Sequence, residues 1–380
     1  MRIGLNATCL NGRPSGANQR FRRLYGAVIR RNPELDFVVY EPADYPVATW
    51  FADAPNVSAR RTPLPSTGRV ARLRAGLGYW RRALAADAID LFESFHLPLA
   101  AAPCPRLLTV HDLSADASLL ERLATRVALA HAFARADRVI AVSDAMRAEI
   151  LAFRPGTAVS TVHNGVDARG FGTVDAAAHA EARRRWALPE DFALTVGHLK
   201  RRKNVALLID AVAVLRARGL ARPLAVVGRG GEAKALRARI ADRGLADLVT
   251  LIEDADDDAV RALYAGCRLV AIPSVYEGFG IPLIEAMAAR RPLVTSDIAV
   301  FREITGGEGS YFPVDDVPAA AAAIERAWSD PAERMRLTAN GDNRVGLFAF
   351  DRLADKVAAL YADVAIPSAA AIRPRAASNE

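Results

Sequence analysis

Short apolar runs alternate with segments of helical periodicity along most of this chain, and that alternation limits the possible folds more than any other feature. In the first part, the predicted strands are Ile3–Thr8, Phe37–Tyr40, Ile89–Glu93, Leu107–His111, Val139–Ser143 and Val159–Asn164. Predicted helices, notably Gln19–Arg30 and Leu119–Arg135, separate several of them. Strands joined through helices usually pair in parallel, so the pattern predicts an α/β sheet.

The alternation restarts after a looser stretch, rich in Gly and Ala, over residues 167–190. The predicted strands there are Phe192–Gly197, Leu224–Gly228, Val249–Glu253, Leu269–Pro273 and Leu293–Ser296. The predicted helices are Val205–Arg218, Glu232–Asp242, Asp258–Ala265 and Pro282–Arg290. We therefore predict two consecutive Rossmann-like domains, over residues 1–170 and 190–345.

The end of the chain is helical and then irregular. Residues 350–364 form an amphipathic pattern with Leu353, Val357, Leu360 and Tyr361 on one face. Residues 365–380, rich in Ala, Pro and Ser, are predicted to be a mobile tail.

The composition suits a two-domain cytoplasmic protein. A length of 380 residues and a hydrophobic content of 52% allow two cores, and no apolar run reaches the length of a membrane span. The N-terminus lacks the pattern of a signal peptide. The cysteines, Cys9, Cys104 and Cys267, have no metal-ligand spacing, and so few thiols suit a reducing compartment. The net charge of +7 favours phosphate-bearing ligands or an anionic membrane surface.

Two glutamates eight positions apart, Glu277 and Glu285, lie where a predicted strand gives way to a helix. Gly278 and Gly280 would let backbone N–H groups approach a ligand, and the helix N-terminus favours a phosphate. The segment thus offers an anion cradle beside two carboxylates that can accept hydrogen bonds from sugar or ribose hydroxyls. Alternatively, Glu285 serves only the helix dipole.

Residues 276–286, Tyr-Glu-Gly-Phe-Gly-Ile-Pro-Leu-Ile-Glu-Ala, resemble the E-x7-E signature of family 4 glycosyltransferases. The resemblance extends over about residues 1–364 and implies the GT-B fold, in which two Rossmann-like domains face each other across a cleft. It also implies that a helix over residues 346–364 crosses back to pack on the first domain.

A basic segment resembles the Gly-x4-Arg-Lys-Asn motif of the same family. Gly197 is followed by Arg202, Lys203 and Asn204, and the resemblance implies that the two cations bind the donor diphosphate. Some relatives have Arg directly after the Gly, where this chain has His198. We favour Arg202 over His198 for the second phosphate contact.

Two residues of the first half match the family in the expected order. Gly16 is the closest match to a double glycine whose backbone faces the sugar and diphosphate, although an ordinary turn between strand and helix explains it equally well. His111, at the carboxyl end of a predicted strand, matches a histidine that contacts the donor sugar near its C6 hydroxyl. The alternative for His111 is a purely local hydrogen bond beside a helix-capping Asp112.

The resemblance implies a donor site assembled from both halves. The predicted catalytic residues are Glu277, His111, Lys203 and Arg202, with Glu277 holding sugar hydroxyls. The predicted donor-binding residues are Gly16, Gly197, Gly228, Ile252, Phe279, Gly280, Ile281 and Glu285. Among these, Glu285 would bind the ribose hydroxyls and the strand end near Ile252 would contact the base.

The implied reaction is transfer of a sugar from a nucleoside diphosphate sugar to a hydroxyl, with retention of anomeric configuration. The best guess is mannose from GDP-mannose, delivered to a saccharide or lipid-linked saccharide in surface polysaccharide, lipopolysaccharide or glycolipid assembly. A GT-B sugar-nucleotide 2-epimerase is the alternative. A basic nucleic-acid-binding protein is a third reading, although no recognised module supports nucleic acid as a partner.

Two further features each have a functional and a purely structural explanation. The acidic run over residues 253–258 could hold a divalent cation, but helix capping is the simpler explanation, and we expect neither a metal nor a cofactor. Residues 69–85 carry an apolar stripe with Trp80 and several arginines. Such a helix can lie on the inner membrane surface or pack on its own domain.

Overall fold

The structure, a computed structural model, describes residues 1–12, 15–68, 78–113, 119–172 and 174–365. In the helix that begins at Leu119, side chains are described only from residue 123 onward. The chain divides into two compact units. The first comprises Met1–Val142, Arg147–Val162 and the chain from Asp351 onward, and the second comprises Ser143–Met146 and His163–Phe350. The first unit is thus discontinuous in sequence, and residues 163–170 belong to the second unit rather than to the predicted 1–170 domain.

The first unit contains a parallel sheet of seven strands in the order β3-β2-β1-β4-β5-β6-β7. Its strands are β1 (Arg2–Asn6), β2 (Asp36–Glu41), β3 (Val57–Arg61), β4 (Leu91–Ser94), β5 (Arg106–Val110), β6 (Arg138–Ala141) and β7 (Val159–Thr161). Its helices are α1 (Gly16–Arg20), a π-helical segment (Phe21–Tyr25), α2 (Gly26–Arg31), a 3-10 turn (Val47–Phe51), α3 (Tyr79–Ala86), α4 (Leu119–Arg135), α5 (Asp144–Phe153) and α15 (Phe350–Ala365). Helix α5 begins in the second unit and continues in the first, and α15 starts one residue before the first unit resumes.

The second unit contains a parallel sheet of six strands in the order β10-β9-β8-β11-β12-β13. Its strands are β8 (Ala193–Val196), β9 (Leu224–Val227), β10 (Val249–Ile252), β11 (Leu269–Ile272), β12 (Leu293–Ser296) and β13 (Ser310–Phe312). Its helices are α6 (Ala168–Gly172), α7 (Ala176–Arg185), a 3-10 turn (Arg201–Lys203), α8 (Val205–Ala217), α9 (Ala233–Asp242), α10 (Asp257–Gly266), α11 (Ile281–Ala288), α12 (Ala299–Thr305), α13 (Val317–Ser329), α14 (Pro331–Val345) and a 3-10 turn (Gly346–Phe348).

Each sheet is covered by helices and has its own core. In the second unit, α8 packs on α13 and buries Leu208, Ile209 and Val212. In the first unit, Trp80 and Leu84 of α3 pack with Tyr40 and Phe92. These two side chains of the predicted membrane stripe therefore belong to a core, whereas residues 69–77 lie outside the described part of the chain.

Both sheets reverse their strand order beside the first strand, between β1 and β4 and between β8 and β11. Ligands of open parallel sheets bind at the carboxyl ends of the strands, at such a switch point. The predicted α/β class, with one parallel sheet in each half, is confirmed. Strands β3 and β13 were not predicted, because β3 is largely exposed with the polar sequence Val-Ser-Ala-Arg-Arg and β13 is only three residues long.

Helix length and apolar character decide whether a helix could cross a membrane. Within the ranges that the structure describes, no helix combines the length and the apolar character that crossing a bilayer requires.

Candidate functional site

Two loops of the second unit emerge side by side at the switch point between β8 and β11. One loop follows β8 from Gly197 to Lys203, and the other follows β11 from Pro273 to Gly280. The strands themselves are paired, with Leu269 beside Ala193 and Val270 beside Leu194. Because both strands are parallel and end at the same edge, the two predicted motifs are brought together by the sheet.

Glu277 is the centre of the contacts between these loops. Its Oε1 accepts hydrogen bonds from Lys203 Nζ and, at 2.8 Å, from Ser274 Oγ. Its Oε2 accepts one from Arg202 Nη1 at 3.3 Å. The side chain of Glu277 is 8% exposed, and those of Arg202 and Lys203 are 18% and 16% exposed. One partly shielded carboxylate therefore faces two cations, which leaves a net positive charge in the cluster.

Backbone contacts hold the cationic loop in place. Residues Arg201–Lys203 form a 3-10 turn, and Asn204 follows with a left-handed backbone at φ 52°. Its side-chain amide donates to the carbonyl of Val314 at 2.8 Å. The N–H of Val275 donates to the carbonyl of Arg202 at 2.9 Å, which ties the two loops together. The cations are thus positioned by the fold.

Ser274 is a site residue that the sequence reasoning missed. It is 1% exposed, directly contacts Glu277, and its carbonyl accepts a hydrogen bond from Ser296 Oγ. A small cavity beside it is lined by Gly197, Lys203 and Ser274. A serine three residues before the predicted glutamate was the available signal.

His198 and Arg202 differ in their surroundings. His198 is exposed, whereas Arg202 reaches Glu277 and also donates to the carbonyl of Tyr276 at 3.2 Å. The structure therefore puts Arg202, rather than His198, in contact with the E-x7-E segment.

Gly228 permits a close approach between the loops after β8 and β9. A Cβ atom there would lie 1.8 Å from the carbonyl oxygen of Gly197, so no other residue fits without moving the backbone. The N–H of Gly228 donates to the carbonyl of Ile252 at 2.9 Å, and that of Gly197 donates to Val227 at 3.0 Å. Gly228, Gly197 and Ile252 thus lie on one edge of the sheet, where they support the cationic loop.

The segment before α11 turns sharply at Gly280. Gly280 has φ 111°, and a Cβ there would lie 2.8 Å from the ring of Phe301. Helix α11 then starts at Ile281, with Pro282 in its first turn. The side chain of Phe279 is buried against the rings of His163 and Phe348. Only the backbone of Phe279 is therefore placed to meet a ligand at the helix N-terminus.

Glu285 lies one turn into α11 and accepts a hydrogen bond from Tyr264 Oη at 3.1 Å. Burial, and then the charge of Glu285, raise the pKa of Tyr264 well above its usual value. Glu285 is itself only partly buried. It is therefore anchored by a buried tyrosine while remaining partly accessible.

Ser143 makes two hydrogen bonds near the N-terminus of α5. Its Oγ donates to the carbonyl of Gly278 at 2.7 Å and accepts from the N–H of Met146 at 3.0 Å. It therefore caps α5 and also holds the glycine loop.

Gly16 and His111 belong to the first unit. Gly16 is the first residue of α1, where the side chain of Ser15 accepts from the N–H of Asn18 at 3.1 Å. His111 directly follows β5 and is partly buried. Burial, together with the positive charge of Arg20, lowers the pKa of His111 to about 3, so the imidazole is neutral at physiological pH.

Acidic groups near the site have structural partners. Asp256 caps α10 by accepting from the N–H of Ala259 at 2.8 Å, as expected for helix capping. Asp144, His163 and Glu303 come close enough to hold a metal. Glu303, however, accepts from the backbone N–H groups of Asp144 and Ala145, both at 2.8 Å. Its carboxylate therefore already caps a helix.

A hollow of about 590 Å³ lies at the opposite edge of the second sheet. It is lined by residues that precede β11 and β12, among them Arg268, Arg291 and Pro292. The loops that carry Lys203 and Glu277 follow the strands, so the length of the strands separates this hollow from them.

Comparison with known families accounts for most of the chain. Residues 14–169 match the family described as Glycosyltransferase Family 4, and residues 179–344 match the family described as Glycosyl transferases group 1. The two matches follow each other without overlap.

Individual relatives agree with this family. An alpha-D-kanosaminyltransferase of Streptomyces kanamyceticus is 30% identical over 50% of this chain and 50% of its own length. The serotype-specific mannosyltransferase WbdA of Escherichia coli is 29% identical over 55% of this chain and 26% of its own length. The matches thus span half or less of these two relatives. A phosphatidyl-myo-inositol mannosyltransferase of Mycolicibacterium smegmatis is 28% identical over 96% of this chain and 94% of its own length.

Solved structures show the same fold over nearly the whole chain. A sucrose-phosphate synthase from Thermosynechococcus elongatus gives a TM-score of 0.78 at 22% identity, covering 96% of this chain and 98% of that chain. HepE of Anabaena, solved with UDP and glucose, gives 0.76 at 20% identity, covering 96% and 100%. These matches confirm the predicted GT-B fold. The two family matches, which cover both halves of the sequence, show that this chain belongs to the family 4 glycosyltransferases.

Proposed function

We propose that this protein is a retaining glycosyltransferase that moves a hexosyl group from a nucleoside diphosphate sugar to a hydroxyl acceptor. The observation that carries the proposal is the cluster of Lys203, Arg202 and Glu277 at the switch point of the second sheet. Cations and a carboxylate are the groups that a diphosphate and a sugar ring require, respectively. The family membership supports the same reaction class.

The departing diphosphate is stabilised by fixed positive charge. Arg202 and Lys203 contact the loop that leads into α11, and the first N–H groups of that helix lack partners within it. Because these groups are held in place before the reaction, they stabilise the charge that develops on the leaving group without further reorganisation. They also supply the cationic contacts that a metal would otherwise make, so we propose a reaction without a bound metal or other cofactor.

Glu277 changes partners when the donor binds. In the free protein it binds Arg202 and Lys203. The donor phosphates take over these cations, and the carboxylate then accepts hydrogen bonds from the sugar hydroxyls. Glu285, held by Tyr264, binds the ribose hydroxyls from the next turn of α11. Neutral His111 offers one donor and one acceptor to the sugar rather than a charge.

We further propose that the donor is GDP-mannose and that the acceptor is a saccharide or lipid-linked saccharide at the cytoplasmic face of the membrane. Two of the relatives are named as mannosyltransferases, one of them as a phosphatidyl-myo-inositol mannosyltransferase. The net charge of +7 favours an anionic surface. The role falls in surface polysaccharide or glycolipid assembly.

A panel of nucleoside diphosphate sugars tests the proposal, first by thermal shift and then by transfer to saccharide and glycolipid acceptors. We expect one donor to stabilise the protein and to yield an α-linked product together with the free nucleoside diphosphate. Lys203→Ala should slow transfer by about two to three orders of magnitude, whereas replacing Lys234, an exposed lysine of α9, by Ala should leave the rate unchanged. Formation of an epimer without transfer would identify a 2-epimerase. Salt-sensitive binding of DNA or RNA without donor binding would identify the nucleic-acid alternative.

A further inference from the structure

An arginine and a glutamate are buried together in the first unit. Arg20 at the end of α1 is 2% exposed, and Glu93 on β4 is 0% exposed. Burying charged groups is costly unless they are paired and hydrogen-bonded, so such a cluster needs a compensating arrangement. None of the motifs that predicted the donor site includes either residue.

Three hydroxyl groups from three different elements bind Glu93. Tyr25 of the π-helical segment and Thr109 of β5 donate to its Oε1, the latter at 2.6 Å. Tyr361 of α15 donates to its Oε2 at 2.6 Å. Burial raises the pKa of Glu93, while these hydroxyls and Arg20 act in the opposite direction. The carboxylate is therefore a common fixed point for a strand and two helices.

The π-helical segment brings Arg20 and Tyr25 to the same cluster. In an α-helix, with 3.6 residues per turn, side chains five residues apart lie on different faces. The π-helical hydrogen bond joins residues five apart and brings them onto one face. The charge of Arg20 accordingly acts on Tyr25, and Arg20 Nη1 donates to the carbonyl of Val162 at 3.1 Å. The rare π-helical conformation thus places the side chains of Arg20 and Tyr25 on the same face.

This cluster adjoins the end of β5, the strand that leads into His111. Thr109, which donates to Glu93, is the last residue but one of β5, and His111 follows the strand directly. The charge of Arg20 acts on the His111 imidazole, and Glu93, Tyr25 and Tyr361 surround Arg20. Arg20 also ends the helix that begins at Gly16. Both predicted sugar-facing residues of this unit therefore connect to the same charged cluster.

We propose that Arg20 and Glu93 are positioning residues for sugar transfer, which together fix the end of β5 that carries His111 and the helix that starts at Gly16. This role rests on the proposed function. Tyr361 makes the C-terminal helix part of the arrangement, because it supplies one of the three hydroxyls. The charge of Arg20 disfavours protonation of His111, and Glu93 compensates Arg20 in turn.

The test combines histidine titration by NMR with kinetics on the full chain. In protein labelled at histidine, the signal missing from His111→Gln is assigned to His111. In the wild type, His111 should stay neutral from about pH 5 to 8, a range on both sides of the ordinary histidine pKa of about 6.5. Arg20→Met should raise the His111 pKa by on the order of one unit and lower kcat about tenfold or more with little change in KM. Arg20→Lys keeps the charge and should keep His111 neutral.

Tyr40→Phe is the matched control. Tyr40, on β2 of the same sheet, is a fully buried tyrosine whose hydroxyl donates to Asp87 at the end of α3 at 2.8 Å. Its loss should lower stability while kcat and the His111 titration stay unchanged. Tyr361→Phe, which removes one hydroxyl and keeps the ring, should lower kcat about threefold or more without changing KM.

Two outcomes would overturn the positioning role. One is a folded Arg20→Met variant whose His111 titration and kcat match those of the wild type. The other, decisive if Arg20→Met does not fold, is a Tyr361→Phe variant with unchanged kcat. A wild type that transfers no sugar would refute the proposed function instead, since the NMR titration reports on Arg20 and His111 without any donor.

Discussion

Replacing Glu277 by Gln should make the protein bind free nucleoside diphosphate more tightly and transfer sugar more slowly. The substitution keeps the size of the side chain and removes its charge. In the free protein that charge is bound to Lys203 and Arg202, with Oε2 3.3 Å from the Arg202 guanidinium. A diphosphate has to replace the carboxylate before it can use both cations, so Glu277 competes with it.

The size of the effect follows from the contacts. At 3.3 Å and an effective dielectric constant of about 20, the attraction between one cation and the carboxylate is about 5 kcal/mol before desolvation is subtracted. Net values for hydrogen bonds to charged groups are about 1.5–3 kcal/mol. The nucleoside diphosphate has to break these bonds to the carboxylate, and the substitution removes roughly half of that cost. Binding to Glu277→Gln should then be about tenfold tighter, which corresponds to about 1.4 kcal/mol. Transfer should fall about 100-fold, because the sugar loses its carboxylate partner.

Titration calorimetry with the free nucleoside diphosphate and initial rates with the full donor measure the two effects separately. Glu325→Gln serves as the control, because Glu325 also pairs with an arginine, Arg222 at 2.7 Å, in the same unit. This control should change neither quantity. Weaker binding of the nucleoside diphosphate to Glu277→Gln would refute the competition argument, since Glu277 would then be a partner of the nucleotide itself.

Four further predictions concern single residues. Lys203→Ala should lower kcat by about two to three orders of magnitude with the fold intact, as judged by circular dichroism, because a fixed cation facing the leaving group is lost. Glu285→Ala should weaken binding of the nucleoside diphosphate and, by removing the acceptor of Tyr264, lower the free energy of unfolding by about 1–3 kcal/mol in denaturant titrations. Gly228→Ala should destabilise the second unit by about 3 kcal/mol or more, because the added Cβ would clash with the Gly197 carbonyl. Gly231→Ala should be tolerated, because there is open space around that position. Equal melting temperatures of the two variants would contradict this prediction. For His111, the folded pKa of about 3 lies below the ordinary 6.5, so the folded state binds fewer protons between these values and its stability falls as the pH falls through that window. The loss at pH 5 should be about 2 kcal/mol and should vanish in His111→Gln; an equal pH dependence in both proteins would refute it.

Local sequence patterns were sufficient to place the motifs of the second half on the correct sheet edge. Parallel strands end at a common edge, so the segments after β8 and β11 had to approach each other once the alternation was recognised. The direct contact of Glu277 with Lys203 was not predicted, because it depends on the conformation of two loops 74 residues apart in sequence. Ser274 was missed for the same reason.

The buried cluster of the first unit shows where sequence reasoning ends. Glu93 was predicted only as the end of a strand, and Tyr361 only as part of an apolar helix face. Their hydrogen bond joins residues 268 positions apart, and no local pattern reports such a pairing. The π-helical turn at Phe21–Tyr25 likewise depends on what Arg20 and Tyr25 contact, rather than on helix propensity.

The partner exchange at Glu277 also gives a physical reason for selecting a sugar nucleotide over other phosphates. An inorganic phosphate can displace the Glu277 carboxylate from Arg202 and Lys203. The carboxylate, which is 8% exposed, then keeps its hydrogen bond from Ser274 but loses both cations. Stranding a shielded charge in this way costs several kcal/mol, which the new phosphate contacts must offset. A nucleoside diphosphate sugar offers hydroxyls to the same carboxylate, so it can replace both sets of contacts at once. The Glu277→Gln protein should therefore lose most of its discrimination between the full donor and the free nucleoside diphosphate, and this ratio of affinities separates partner exchange from a simple electrostatic effect.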